Sequence, residues 1–167
     1  AGLESRLVYI TKLFNEEVHI ITTPGVASIN DLADKVVNFG DVGSGSELTA
    51  RLIFEALGIK VRPVNVAQPD ALLKIKSGEI AASVLVAGKP SAVLERMATS
   101  GDFKLLAVPF EDALEQDYLP SQLTSADYPK LIGPDERIDT VSVPAVLASY
   151  NWAPRSDRGR RLVRFVE

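Results

Sequence analysis

Val36-Val-Asn-Phe-Gly-Asp-Val-Gly-Ser-Gly-Ser-Glu-Leu-Thr-Ala-Arg-Leu-Ile-Phe-Glu-Ala-Leu-Gly58 reads as a buried strand, a glycine-serine turn and an amphipathic helix. Leu48, Leu52, Ile53, Ala56 and Leu57 recur at helical spacing, which gives the helix one apolar face. Ser44 followed three residues later by Glu47 is a capping-box pattern, and Gly58 suits the helix stop. Such a turn leaves backbone N–H groups at the positive end of the helix dipole, beside small hydroxyls. That arrangement suits a carboxylate or a phosphate. The same residues read equally as a capped helix with nothing bound.

Two nucleotide motifs fail here. From Gly40 the spacing G-x-x-x-x-G is present, but Ser46 stands where a P-loop needs lysine. Gly43-Ser-Gly45 is followed by Leu48 where a dinucleotide fingerprint has its third glycine.

Strands and helices alternate on either side of this unit. Leu7–Phe14 reads as a strand or short helix, Glu16–Thr23 as a strand, and Ile29–Ala33 as a helical turn capped by Ser28. After Gly58, Val61–Val66 reads as a strand that Pro63 places at an edge. Pro69–Lys76 is a helix ended by Gly78, and Ile80–Val86 a nearly continuous apolar strand. Gly88-Lys-Pro90 turns into a helix over Ser91–Thr99, and Phe103–Val108 is a further strand. Beyond it, Glu111–Gln116 reads as a helix, Thr140–Ser149 as a strand interrupted at Pro144, and Ser156–Glu167 as a helix. In that last helix Leu162, Val163 and Val166 face inward and four arginines face out.

The alternation predicts an α/β fold, a mostly parallel sheet with helices on both faces. Ligands in such sheets sit beyond the carboxyl ends of the strands. Gly43–Ser46 and Gly88–Pro90 both fall there and are expected to share one cleft.

The chain has 167 residues, 46% hydrophobic and 24% charged, which suffices for a real core. A net charge of −4 with no long basic run argues against nucleic acid as a partner. Without cysteine there are no disulfides, thiol chemistry or cysteine metal sites, and the compartment stays open. No apolar run reaches membrane-span length. The opening Ala1-Gly-Leu-Glu-Ser lacks methionine and the last helix runs to the final residue, so the chain is expected to be a piece of a longer protein.

The run Asp31–Gly40, then Gly43-Ser-Gly-Ser46, then Leu57-Gly-Ile59, followed by Gly78-Glu-Ile80, Val86-Ala-Gly88-Lys-Pro90, Asp127-Tyr-Pro129 and Val141–Leu147, resembles TAXI-type solute-binding proteins. These are the extracytoplasmic receptors of tripartite ATP-independent periplasmic (TRAP) transporters. The resemblance implies a type II periplasmic-binding fold that closes on a small ligand and catalyses nothing. It implies three segments: 1–23 as the end of a first lobe and a crossing strand, 24–100 as a second α/β lobe, and 101–167 as the return strand and remainder of the first lobe. Apolar surface that a missing first lobe would cover favours self-association.

By the same resemblance, Gly43, Ser44, Gly45 and Ser46 hold the solute's carboxylate, Gly88 and Pro90 line the opposite wall, and the Tyr128 ring lies near the ligand. Taken alone, Tyr128 reads as a packed loop residue. The chain departs from the family at Ala81, where an aspartate is usual, and at Val42 and Ser46, where proline and threonine are usual.

His19, the single histidine, lies in an apolar strand and reads as structural. No acidic cluster has metal-ligand spacing, and no serine sits in a G-x-S-x-G elbow. Glu16-Glu17 and Glu111-Asp112 read as solvated surface charge. The function expected is an extracytoplasmic or periplasmic receptor for a small anionic solute, a carboxylate or acidic amino acid. It delivers that solute to the permease subunits of a TRAP-type transporter, needs no cofactor and is not an enzyme. The alternative is a ligand-sensing or protein-interaction module on the same fold.

Overall fold

The computed structural model describes residues 6–97 and 101–166. Among them run β1 (Leu7–Thr22), a 3-10 turn (Ile29–Leu32), β2 (Val36–Asn38), α1 (Gly45–Ala56), β3 (Arg62–Val64) and α2 (Gln68–Lys76). Then follow β4 (Ala82–Ala87), α3 (Ala92–Met97), β5 (Lys104–Leu106), β6 (Leu119–Thr124), β7 (Arg137–Tyr150) and α4 (Asp157–Val166). Three ends of the expected segments lie outside the described residues: Thr99 in the helix from Ser91, Glu167 in the last helix, and the segment boundary at 100.

The local signals act as their chemistry predicts. The Ser44 hydroxyl accepts from the Glu47 N–H at 3.1 Å, and Gly58, at φ +66°, takes the left-handed turn after α1. Ser28 caps the 3-10 turn reciprocally with Asp31.

The strands form one sheet in the order β3-β2-β4-β1-β7-β6, and β5 also pairs with β1. Pro63 is on the edge strand, where its missing N–H costs no ladder bond. β2 pairs in parallel with β3 and β4, because α1 and α2 provide the helical crossovers that parallel neighbours require. The expectation of a mostly parallel sheet fails at β1. That strand inserts antiparallel between β4 and β5, with Ile20 opposite Val84 on one side and Leu106 on the other. β6 and β7 pair antiparallel as well.

Within Glu16–Val143 each face of the sheet carries a core. Alternation along β1 sends Val18 and Ile20 to a core shared with Ile53 and Phe54 of α1. Ile21 points into a second core with Leu72 and Ile75 of α2 and Leu94 of α3. β5 divides in the same way, Leu106 to the first core and Leu105 to the second.

Three further expectations are corrected. Glu111–Gln116 forms successive tight turns rather than a helix, closed by bonds such as Leu114 N–H to the Glu111 carbonyl. β7 continues through Pro144, which lies beyond the last pair of its ladder with β6, Leu119 with Ser142. In α4, Val163 is 49% and Val166 58% exposed, so neither faces inward. Gly159 is the residue α4 buries, and Leu162 is half-buried.

The chain divides into two compact units. Glu16–Val143 forms one, with both cores described above; the other comprises the described residues before Glu16 and from Pro144 onward. In the second unit the Asn151 N–H donates to the Arg6 carbonyl, and the Arg158 guanidinium lies 4.4 Å from the centre of the Trp152 ring.

Candidate functional site

Two turns leave the carboxyl ends of adjacent parallel strands in the larger unit. One follows β2 and leads through Gly40–Ser44 into α1; the other follows β4 and comprises Gly88-Lys89-Pro90. β2 stops opposite Ser83, so the β4 edge beyond it would carry a free donor at Val86. The Ser46 hydroxyl accepts that donor at 3.1 Å and fastens the start of α1 to the end of β4. Gly40, at φ +86°, permits the approach, since a Cβ there would lie 3.3 Å from Ser46 Cβ.

Deeper in the same place, Asn38 and Ser83 are fully buried and bonded to each other at 2.9 Å. Ser83 also donates to Gln68 at the head of α2, at 2.9 Å. This polar knot fixes the register of β2 and β4 just below the turns.

The α1 turn is partly filled by the protein itself. The Glu47 carboxylate accepts from the Gly43 N–H at 2.6 Å and pairs with Arg51 at 2.9 Å. The Glu47 carboxylate therefore covers the outer lip of the turn. The Gly45 and Ser46 N–H groups, in the first turn of α1, remain the donors that can meet an anion. A shallow depression of about 450 Å3 borders Gly43, Ser44, Gly45 and Arg51.

Tyr128 joins this region from the core side. It is 3% exposed, and its hydroxyl accepts from the Ser91 N–H at 2.8 Å, one residue past Pro90. The same oxygen lies 2.8 Å from His19 Nε2, while His19 Nδ1 lies 3.4 Å from the Leu85 carbonyl. With Nδ1 protonated toward that carbonyl, Nε2 accepts the Tyr128 proton and every polar atom of the pair is used. Burial drives the His19 pKa down to about 4 and pushes the Tyr128 hydroxyl up to about 12. Both are therefore neutral at physiological pH.

The expected site residues thus divide in two. Gly43–Ser46 form the turn into α1, where Ser46 bonds Val86 of β4, two residues before Gly88; the depression at that turn borders neither Gly88 nor Pro90. Tyr128 sits beneath Ser91 with its hydroxyl committed, as the packed-loop reading has it. Glu17 was read as surface charge and is instead buried to 4% exposure. It stands opposite Ala87 where β1 runs between covered faces. The apolar Val18, Ile20 and Ile21 just after it were the available signal.

Among the described residues no group of three or more His, Asp or Glu is placed to hold a metal. No helix among them is long and apolar enough to cross a membrane.

The mixed sheet, with a reversed strand beside parallel neighbours, matches a type II periplasmic-binding-protein-like fold. The chain belongs to the NMT1-like family, whose model matches residues 2–161. A periplasmic binding protein from Brucella ovis with glutathione bound superposes with a TM-score of 0.57 at 16% identity, over 96% of this chain and 41% of that one. The CcmR regulatory domain from Synechocystis, in complex with 2-PG, gives 0.52 at 16% identity over 99% and 68%. A TctC solute-binding protein from Polaromonas gives 0.50 at 16% identity over 99% and 55%. The chain spans well under half the length of the Brucella protein and about half that of the TctC protein.

Proposed function

We propose that the chain is the ligand-gripping part of an extracytoplasmic solute-binding protein that serves a TRAP-type transporter, of the TAXI kind. It takes a small solute bearing a carboxylate, anchored at the Gly45 and Ser46 N–H groups with Gly88 and Pro90 on the facing wall. The permease subunits of that transporter receive the solute. The observation that carries this reading is the Ser46–Val86 bond, which sets a helix N-terminus directly beside the β4 turn. Membership of the NMT1-like family and the solute-binding fold support it.

A second reading has its own support. The likeness to the CcmR regulatory domain extends over 99% of this chain, so a ligand-sensing module on the same fold would use the same turns without a permease.

Thermal unfolding against a panel of small carboxylates tests the binding step. A solute present at 100 times its Kd adds about 2.7 kcal/mol of stability, so the melting temperature should climb with concentration. Ser46→Leu should abolish the climb. An unchanged shift in that variant refutes the site.

A further inference from the structure

Helix α4 is anchored at its start. The Ser156 hydroxyl accepts from the Gly159 N–H at 3.0 Å, Gly159 is buried with the Ala153 carbonyl close beside it, and the Arg158 guanidinium lies over Trp152. Its second half stands open. Val163 is 49%, Phe165 68% and Val166 58% exposed. At about 100° per residue these three share one side of the helix with Gly159 and Leu162, and Arg160, Arg161 and Arg164 take the other.

The arginine side is short of counter-charge. Arg160 pairs with Asp157, while Arg161 and Arg164 are exposed and have no ion-pair partner among the described residues. The smaller unit as a whole shares this sign. Residues 1–15 and 144–167 hold seven Lys and Arg against three Asp and Glu, a net +4, whereas residues 16–143 hold eleven against nineteen, a net −8. An exposed apolar side backed by unpaired arginines suits an anionic bilayer, which offers phosphates to the guanidinium groups and an acyl boundary to valine and phenylalanine. A second copy suits it poorly, because a symmetric contact sets a patch against itself and brings the two arginine clusters together. Leu13 and Phe14 of β1 are exposed as well, but Lys12 is the only cation between Leu7 and Glu16.

We propose that α4 is a membrane-surface helix. It lies in the interface of an anionic bilayer, with Val163, Phe165 and Val166 in the acyl boundary and Arg161 and Arg164 on lipid phosphates. The contact is independent of the solute site, since every residue in it belongs to the smaller unit.

Co-sedimentation of the chain with lipid vesicles is the test. It should bind phosphatidylcholine vesicles that contain about one third phosphatidylglycerol, and bind pure phosphatidylcholine vesicles about tenfold more weakly or less. Added salt should weaken the binding to the anionic vesicles. Each basic residue near such a surface contributes about fivefold, so Arg161→Gln combined with Arg164→Gln should weaken binding by about tenfold or more. Phe165→Ser should weaken it by about fivefold or more, through lost apolar burial. Circular dichroism checks that each variant keeps its helix; the arginine pair decides the matter if Phe165→Ser does not. No binding to the anionic vesicles, equal binding to both kinds, or full affinity in either folded variant overturns the proposal. So does a dimer in sedimentation equilibrium that Phe165→Ser dissolves, which gives the face to a second copy.

Discussion

Lowering the pH from 7.5 to 5.0 should cost this chain stability through His19. In the unfolded chain the imidazole takes its proton near 6.5, whereas burial keeps the folded side chain neutral until about 4. The unfolded state therefore binds more protons between those values, and stability falls as the pH falls. The stabilisation is fully present above 6.5 and is lost on the way down to about 4. A difference of roughly 2.5 pH units, from 6.5 to about 4, corresponds to ~3 kcal/mol, of which ~2 kcal/mol is gone by about pH 5. Protonation also opposes the local geometry. A charged ring would turn an N–H toward the Tyr128 oxygen, which already accepts from Ser91. Urea unfolding at half-unit pH steps measures the loss, and His19→Gln provides the control. The wild-type chain should lose stability steeply between pH 6.5 and 5, and His19→Gln should be nearly flat there. Asp31 adds its own loss at lower pH, because the Ser28 and Ala27 N–H groups hold its carboxyl below the usual range. Parallel slopes for the two proteins between pH 6.5 and 5 would refute the argument.

Other substitutions probe the turns and the helix ends. Ser46→Ala strips the acceptor from the Val86 N–H and should cost ~1–2 kcal/mol in urea unfolding. Gly40→Ala places a side chain at φ +86°, 3.3 Å from Ser46 Cβ, and should cost ~1–2 kcal/mol or more by the same assay. Gly159→Ala puts a Cβ 2.3 Å from the Ala153 carbonyl oxygen. It should loosen α4, seen as lost helical circular dichroism and faster proteolysis after Arg158, Arg160 and Arg161. Ile53→Ala empties a fully buried site in the first core and should cost ~2–5 kcal/mol.

Much of the larger unit was legible because its signals are local. The apolar spacing from Leu48 to Leu57, the Ser44 cap on the Glu47 N–H and the glycine stops act within a few residues, and each recurs in the structure; the reciprocal half of the box does not form, since Glu47 takes the Gly43 N–H instead. Pro63 marked the edge strand for a reason internal to proline. That the Gly43–Ser46 and Gly88–Pro90 turns both follow parallel strands could be read in advance from the βαβ alternation.

The sequence by itself determined that α1 forms and where it starts and stops. Tertiary structure alone decided the direction of β1, because strand alternation looks the same read either way and only packing between β4 and β5 selects one. It also decided which of Glu16 and Glu17 is buried, since neighbouring residues on a strand point to opposite faces and only the cover on those faces tells them apart. The same holds for His19 and Tyr128, 109 residues apart in the chain yet joined by one hydrogen bond. No spacing rule reaches that far, and contact at such separation is a property of the fold.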